Sequence, residues 1–423
     1  MNKYNFQKWG VFTAATIGYG LYYVCRLSLN VVKKPMVDDG YLTETQLGII
    51  GSALFFSYAA GKFINGFLAD RVNVRYFMAG SLLVAVGVNF LLGFAIPFWA
   101  LVILWGLNGW FQSAGGPCSV IALNNWFSSK QRGTVYGFWS ASHNIGEAAT
   151  YILAAVVVGA LGWQYGFWSA ACMGAFGVVF IFIFLKPSPP EKESVSPGQA
   201  EAPKAEKGSV KKLQIEVIKN PIIWLLALAS GVMYICRYAV NSWGIYYFAA
   251  EKSYTLVEAG SLVSVSAVCG TVGTIFSGWI SDRFFNAKRL PLAWMASLAN
   301  LIAIALFMFA PHSTVIDIVS MVLFGVSIGV LISFMGGLIA MDLAPKGAVG
   351  AAVGIIGLGN YIGAGMQEIL SGYLIESNKT IVDGQTIYDF SHIRIFWVAA
   401  ALVSLSLISV IWKKTSQHKQ ANG

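Results

Sequence analysis

Apolar runs of about twenty residues, separated by short polar segments, recur along the whole chain, and a run of this length can cross a hydrocarbon core of about 30 Å as one α-helix. The pattern therefore predicts an all-α membrane protein with twelve transmembrane helices. The first six predicted spans cover residues 9–31, 45–69, 76–95, 98–122, 135–157 and 163–185. The other six cover residues 221–248, 257–281, 290–310, 314–341, 348–374 and 394–412.

Segment 186–220 interrupts this pattern, because it is rich in Pro, Lys, Glu and Ser and has few apolar residues. Such a composition builds no packed core and predicts a mobile linker. We therefore predict two domains, 1–185 and 221–423, each with six helices.

The two predicted domains resemble each other in sequence. Three landmarks occur in the same order in both: YVCR at 23–26 with YICR at 234–237, GFLADRVNVR at 66–75 with GWISDRFFNAKR at 278–289, and NIG at 144–146 with NYIG at 360–363. Landmarks matched in this way indicate an internal duplication. Parallel repeats of six helices are typical of the major facilitator fold.

Composition and charge agree with lipid as the solvent. Only 11% of the residues are charged and 57% are hydrophobic, whereas about 25% are charged in ordinary soluble domains. The net charge of +9 comes from short Lys and Arg clusters without interleaved aromatics, so we expect no nucleic-acid partner. Most clusters fall on alternate loops, which predicts cytoplasmic termini; Lys33 and Lys34 are exceptions.

Motifs of soluble enzymes are absent from the sequence: it has no Walker loop and no HExxH, and its one glycine-rich stretch lies inside a span. The five cysteines lie in apolar runs and lack the spacing of metal ligands or of a disulfide framework. We expect no enzymatic activity, no cofactor and no metal site.

Arg26 and Arg237 each lie in the first predicted helix of a domain. An arginine inside a span is costly and commonly lines a cavity. A pseudo-twofold axis would bring the two guanidinium groups together, where their planar forks match the oxygens of a phosphate. The alternative is that each side chain extends to the membrane surface.

Polar side chains near these arginines are further candidates for substrate binding. They are Tyr19, Tyr23, Tyr234, Lys62 and His143. Tyrosine hydroxyls can donate to phosphate oxygens, and an imidazole titrates near neutral pH and can form a charge-assisted hydrogen bond. An aromatic belt at the membrane surface, a lysine that extends to that surface and a neutral structural histidine are the alternatives.

Glu147 and Glu368 are carboxylates well inside predicted spans. Glu147 follows His143 by four residues and shares its helix face, so it can hold the imidazole protonated or take up a proton during transport. Glu368 lies seven residues after Tyr361 and raises a similar hypothesis.

The repeated loops predict a gate between the domains. Gly66 and Gly278 favour a close approach of helices, and Asp70 and Asp282 can pair with cytoplasmic arginines as the domains rock. The gating residues are Gly66, Asp70, Arg71, Arg75, Gly278, Asp282 and Arg283.

Six motifs in order, GYGLYYVCR, SYAAGKF, DRVNVR, GWFQSAGGP, SHNIG and YICRYAVNSW, give the chain a family resemblance. Outside the linker it resembles the organophosphate:phosphate antiporter family of the major facilitator superfamily, with its glycerol-3-phosphate and hexose-phosphate transporters and related hexose-phosphate sensor. The resemblance implies that Arg26 and Arg237 bind the phosphate group. It implies that the same cavity is lined by Lys62, His143, Tyr19, Tyr23, Tyr58, Tyr234 and Tyr361.

The resemblance further implies exchange of a phosphorylated metabolite (a sugar phosphate, glycerol 3-phosphate or phosphoglycerate) for inorganic phosphate by alternating access. We expect a monomer in the lipid bilayer of a bacterial inner membrane. Ala267, Ser242 and Val330 depart from the residue types that are frequent in the family, so the organic part of the substrate is not predicted. A sensor of hexose phosphate and a proton-coupled carrier of organic anions are the alternative functions.

Overall fold

The computed structural model describes residues 3–189, 207–286, 288–345, 348–383 and 385–421. Its first helices are α1 (Lys3–Asp38), α2 (Glu44–Ala69), α3 (Val74–Leu92), α4 (Phe98–Gln112), α5 (Gly115–Trp126), α6 (Ser129–Leu161) and α7 (Trp163–Phe184). The next are α8 (Lys207–Lys219), α9 (Pro221–Ala250), α10 (Leu256–Phe284), α11 (Arg289–Phe309), α12 (Thr314–Ser333), α13 (Ile339–Leu343) and α14 (Val349–Ser377). A hairpin of β1 (Lys379–Val382) and β2 (Gln385–Tyr388) leads to α15 (Ser391–Ala421).

Ten helices of the described residues are long and apolar enough to cross a membrane, which confirms the predicted all-α membrane fold. The predicted spans 9–31 and 98–122 are not among them. The first corresponds to α1, whose 36 residues include Arg26, Lys33 and Lys34. The predicted count of twelve spans therefore stays a prediction.

The predicted span 98–122 is not one helix, because α4 ends at Gln112 and α5 begins at Gly115. Pro117 has no N–H to donate to the carbonyl of Ser113, four residues earlier, and its ring disfavours a continuous helix there. The sequence prediction treated this proline as part of a regular span and was wrong on this point.

Part of the predicted linker 186–220 is helical. Residues 207–219 form α8, which contacts α9 and α14. Residues 190–206 of the predicted linker lie outside the described residues, as does Lys346.

The first compact unit comprises Met1–Ala202 and Tyr254–Ser264. In this unit α1 packs closely on α6, since a β-carbon added at Gly146 would lie 2.4 Å from the carbonyl oxygen of Gly20. The beginning of α10 packs on α6 in a similar manner, where a β-carbon added at Gly260 would lie 2.5 Å from the carbonyl oxygen of Tyr151. This contact explains why 254–264 group with the first unit.

The second compact unit comprises Pro203–Ser253 and Val265–Gly423. Here α9 packs on α14, and a β-carbon added at Gly363 would lie 2.2 Å from the carbonyl oxygen of Gly231. Gly146 and Gly363 are the glycines of the repeated NIG and NYIG motifs, and Gly20 and Gly231 each precede an arginine by six residues. The repeat therefore conserves one close helix contact in each unit.

The β-hairpin connects α14 to α15. Its antiparallel strands pair Thr380 with Ile387. Asp389 lies two residues before the start of α15, and its Oδ1 accepts a hydrogen bond from the backbone N–H of Ser391, the first residue of the helix, at 2.9 Å. The side-chain and backbone hydrogen bonds from Ser391 lower the pKa of the Asp389 carboxyl from its usual value.

Candidate functional site

Arg26 is buried in the middle of α1 and is surrounded by aromatic rings. Its guanidinium carbon lies 4.4 Å from the ring centre of Tyr58 and 5.5 Å from that of Tyr23. The ring of Phe55 lies 5.6 Å away. Cation–π contacts with two helices hold the charged group inside the first unit. The side chain is therefore enclosed by protein groups of the first unit.

The other predicted site residues of the first unit extend from this cluster along α1 and α6. The rings of Tyr23 and His143 are 5.3 Å apart between centres, and those of Tyr19 and Tyr23 are 5.5 Å apart. Lys62 lies one helical turn after Tyr58 on α2 and is exposed. The structure thus places Tyr23 and Tyr58 against Arg26 and joins Tyr19 and His143 to this cluster through Tyr23, while Lys62 is accessible one turn after Tyr58.

Two buried asparagines that the sequence analysis did not single out hold the backbone beside Arg26. Asn89 on α3 and Asn108 on α4 donate to the carbonyl oxygen of Cys25 at 2.9 and 3.1 Å. Asn89 also accepts from the hydroxyl of Ser28 at 2.7 Å. These bonds fix α1 at the residue that precedes Arg26. Their position as polar residues inside apolar runs is the signal by which the sequence could have identified them.

Glu147 is buried on α6, one turn after His143. Its Oε1 accepts a hydrogen bond from the hydroxyl of Tyr151 at 3.1 Å. The carboxylate therefore lies in the same helix as the imidazole and is satisfied in part by the next turn of that helix.

Arg237 is buried on α9 of the second unit, in the company of tyrosines. Its Nη1 donates to the hydroxyl of Tyr234 at 3.4 Å. The ring centres of Tyr234 and Tyr238 each lie 5.4 Å from its guanidinium carbon. Tyr361 on α14 meets Tyr234 edge to face, with ring centres 6.0 Å apart. The predicted residues of this unit, Arg237, Tyr234 and Tyr361, are thus neighbours.

Glu368 connects the same two helices further along. Its Oε2 accepts from the indole N–H of Trp243 at 2.9 Å, and both side chains are fully buried. The bond joins α14 to α9 six residues after Arg237. In the structure the carboxylate therefore has a clear role in helix packing.

The predicted gating loops show one of the expected features. Arg289 pairs with Asp282 at 2.5 Å and also donates to Ser281 at 3.0 Å. Asp70 is an exposed residue at the end of α2, and Arg71 and Arg283 are also exposed.

The close approach that the two loop glycines allow stays a prediction. A β-carbon added at Gly66 or Gly278 would meet no atom of the described residues within 4 Å. Arg75, in the first turn of α3, packs on α7 with its guanidinium carbon 4.5 Å from the ring centre of Phe182.

Two ion pairs that the sequence analysis missed lie at the end of α9. Lys252 contacts Asp317 at 2.5 Å with both side chains buried, and Arg394 pairs with Glu251. Glu251, Lys252 and Arg394 border a cavity of about 420 Å³ together with Tyr247 and His312. The two ion pairs connect the end of α9 to α12 and α15 of the second unit.

Each unit thus holds a buried arginine among tyrosines, on a helix that packs closely on another helix at a repeated glycine. The sequence profile of the Major Facilitator Superfamily matches residues 15–367, which is most of the chain. The chain belongs to the major facilitator superfamily. It is a multi-pass membrane protein of a family of transporters.

Known relatives place this major facilitator near proteins that handle organophosphates. The probable hexose phosphate transport protein of Chlamydia pneumoniae is 31% identical over 99% of this chain and 94% of its own. The membrane sensor protein UhpC of Salmonella typhimurium is 30% identical over 86% of this chain and 84% of its own. These relatives confirm the family resemblance that the sequence motifs indicated.

A solved structure shows the same fold. The bacterial homologue of the human lysosomal transporter Spinster, in an inward-facing and unoccupied conformation, superimposes with a TM-score of 0.76 at 15% identity. The match covers 97% of this chain and 96% of that one.

Proposed function

We propose that this major facilitator exchanges a phosphorylated small metabolite for inorganic phosphate by alternating access, with the phosphate group held by Arg26 and Arg237. The observation that carries the proposal is the pair of buried arginines at matched positions of the repeat, each with a tyrosine three residues before it. A buried guanidinium is a strong ligand for the phosphate oxygens, since its fork donates two parallel hydrogen bonds.

The mechanism follows from the charges of the site. In the proposal the two guanidinium groups approach the same phosphate, whose negative charge offsets their mutual repulsion. Lys62 and His143 add positive charge and hydrogen-bond donors near Arg26. A ligand shifts a conformational equilibrium only through different affinities for the two states. Exchange is obligatory if the empty site, with two uncompensated arginines, seldom changes its side of access.

The aromatic residues give the site its low-dielectric wall. Tyr19, Tyr23 and Tyr58 in the first unit, and Tyr234 and Tyr361 in the second, combine a ring that packs on the guanidinium with a hydroxyl that can bond to the substrate. We propose that these hydroxyls contact the phosphate or the adjacent organic group.

We further propose a bacterial inner-membrane location with both termini cytoplasmic, and a functional monomer. The alternate basic loops support this orientation. It places the pair of Asp282 and Arg289 on the cytoplasmic side, where it can rearrange as the access of the site changes.

A sensor is the second candidate function, because one relative at 30% identity carries the name of a membrane sensor protein. A sensor would bind the same phosphate ester at the same arginines but would not move it across the membrane. A proton-coupled carrier is the third, and the buried carboxylates Glu147 and Glu368 are the observation that favours it.

The test is counterflow in proteoliposomes loaded with inorganic phosphate. We expect uptake of labelled phosphate by the wild type, competition by one ester of a panel (sugar phosphates, glycerol phosphate and phosphoglycerate), and loss of flux in Arg26→Lys, which keeps the charge but lacks the fork. Lys413→Arg is the control, since it exchanges the same two residue types at an exposed position of α15, and it should retain flux.

The other outcomes point to the alternatives. Binding of an ester without any flux would replace the antiporter by the sensor. Flux driven by a pH gradient without internal phosphate would replace it by the proton-coupled carrier.

A further inference from the structure

α8 is a helix of its own beside a membrane span. It ends at Lys219, and Asn220 then caps α9, since its side-chain oxygen accepts from the backbone N–H of Ile222 at 2.9 Å. Pro221 opens α9 and ends any continuation from α8. α9 is long and apolar enough to cross the membrane. α8 therefore lies where this span enters the bilayer.

α8 has two different apolar sides. Val217 is buried and Leu213 is half-buried, one turn apart, on the side that contacts α9 and α14. Ile215 and Ile218 lie on the other side and are 40% and 52% exposed. Protein contacts thus account for one apolar side of the helix and leave the second side to the surroundings.

Charged residues separate these two sides. With about 3.6 residues per turn, Lys212 and Lys219 follow next to Ile215 around the helix, and Glu216 comes after them. All three charged side chains are exposed. An exposed apolar strip bordered by lysines is the pattern of a helix that lies in a membrane surface.

Trp224 shows what covers the exposed isoleucines. It is 50% exposed on the first turns of the span α9, and its indole N–H donates to the carbonyl oxygen of Ile218 at 2.7 Å. Tryptophans at the ends of spans lie at the level of the lipid headgroups. The hydrogen bond places Ile218 at the same level, so the lipid that surrounds Trp224 also reaches the isoleucine strip.

We propose that α8 is an interfacial helix that binds anionic lipid headgroups through Lys212 and Lys219, with Ile215 and Ile218 inserted among the acyl chains. The ammonium groups extend along the apolar surface to the lipid phosphates. Anionic lipid thereby orders the last part of the linker and fixes the point at which the second unit begins. This proposal is independent of the substrate of the transporter.

The proposed binding of α8 to anionic lipid should strengthen with the positive charge of the helix. A lysine near an anionic membrane surface contributes a factor of about five in affinity. The attraction weakens in concentrated salt, because the Debye length falls to about 3 Å at molar ionic strength. Insertion of the isoleucines is not screened by salt.

The experiment is hydrogen–deuterium exchange of the full chain in nanodiscs of phosphatidylcholine alone or of an equal mixture with phosphatidylglycerol. We expect the amides of 212–219 to exchange more slowly with phosphatidylglycerol, by a factor of about five or more, and the difference to shrink in concentrated salt. Equal exchange in the two lipids would overturn the proposal, and this comparison needs no variant.

Variants assign the effect to the named residues. Lys212→Gln with Lys219→Gln should remove the response to phosphatidylglycerol, whereas Glu216→Gln should increase it. The double variant Lys413→Gln with Lys414→Gln, in the last part of α15, is the control and should leave the response to phosphatidylglycerol unchanged. A response that survives the loss of Lys212 and Lys219 would overturn the role of these lysines. Unchanged exchange of α9 verifies that each variant is folded.

Discussion

The two units share one construction around their arginines but support it differently. In both, a glycine of the repeated motif packs on the backbone six residues before the arginine: Gly146 on Gly20, and Gly363 on Gly231. The backbone beside Arg26 is held by side chains of other helices, Asn89 and Asn108. Arg237 bonds instead to a tyrosine of its own helix, and α9 is joined to α14 by Trp243 and Glu368.

This difference separates the shared requirement from the specialised one. Both arginines need a fixed position, and the helix contact at the repeated glycines supplies it in both units. The surrounding groups are repeated only in part: tyrosines accompany both arginines, whereas His143 and Lys62 belong to the surroundings of Arg26. In the proposed function the arginines of both units hold the phosphate, and His143 and Lys62 add further donors from the first unit.

The largest effect is expected at the shared glycine contact. Gly363→Ala should cost up to about 3 kcal/mol of stability, because the obstacle to the new β-carbon is backbone and a helix must move. Gly146→Ala tests the same contact in the first unit and should act similarly. Thermal unfolding of the detergent-solubilised protein measures both.

Gly278→Ala is the matched control for the glycine contact. Its new β-carbon would meet nothing within 4 Å among the described residues, and removal of a helical glycine favours the helix by up to about 1 kcal/mol. A similar loss of stability in Gly278→Ala and Gly363→Ala would show that close packing is not what the repeat conserves.

The second prediction concerns the asparagines that hold α1. Asn89→Asp keeps an acceptor for Ser28 but loses the donor to Cys25, and should cost about 1–3 kcal/mol. Substrate affinity should fall as well, since the backbone beside Arg26 is less fixed. The checks are unfolding in detergent and the KM of phosphate exchange.

Asn300 provides the comparison in the second unit. It is buried on α11 and donates to Ser327 of α12 at 3.4 Å. Asn300→Asp should therefore lower stability without raising KM. Equal changes in KM for both variants would contradict a special role of Asn89 in the position of Arg26.

Much of the fold and of each half-site could be predicted from the sequence. Long apolar runs predict spans because lipid demands them, and the YVCR and YICR repeats predicted Arg26 and Arg237 as buried residues near tyrosines. The break before Pro117 was missed because the apolar composition of residues 98–122 outweighed the effect of one proline. The helix α8 was missed because the polar composition of residues 186–220 outweighed the helical pattern of its last part. The bonds of Asn89 and Asn108 join residues more than 60 positions apart, and periodicity carries no such information.

The third prediction separates the roles of Glu147 and Glu368. Glu147→Gln should flatten the pH dependence of phosphate exchange between about pH 5 and 8, the range in which an ordinary imidazole changes its charge. Glu368→Gln retains an acceptor for Trp243 and should leave the pH profile unchanged, with a stability loss of about 1 kcal/mol. Phosphate exchange measured across this pH range checks both variants, and an unchanged pH profile in Glu147→Gln would contradict the proposed link to His143.

The smallest effect is expected at the start of α15. This helix and α7 are the last spans of the two sequence halves, and they differ in how they begin. The helix α7 starts after Gly162, which offers no side-chain cap, whereas Asp389 accepts from the backbone N–H of Ser391. Because these hydrogen bonds lower the pKa of Asp389, the ionised cap stabilises the helix above the ordinary carboxyl pKa of about 3.9. This contribution is lost as the pH falls through the lower pKa of the folded protein.

We therefore expect the amide protection factors in the first turn of α15 (intrinsic exchange rates divided by observed rates at the same pH) to be constant from neutral pH to about pH 5, and to fall relative to those of α7 only below the ordinary carboxyl pKa. Asp389→Asn should remove this pH dependence while keeping an acceptor for Ser391, and Asp389→Ala should fray the turn at every pH. Since Asp389 is fully exposed, salt weakens the charge contribution, and transport should not change in either variant. Equal pH responses at α7 and α15 would show that a general loosening of both units, and not this cap, is being measured.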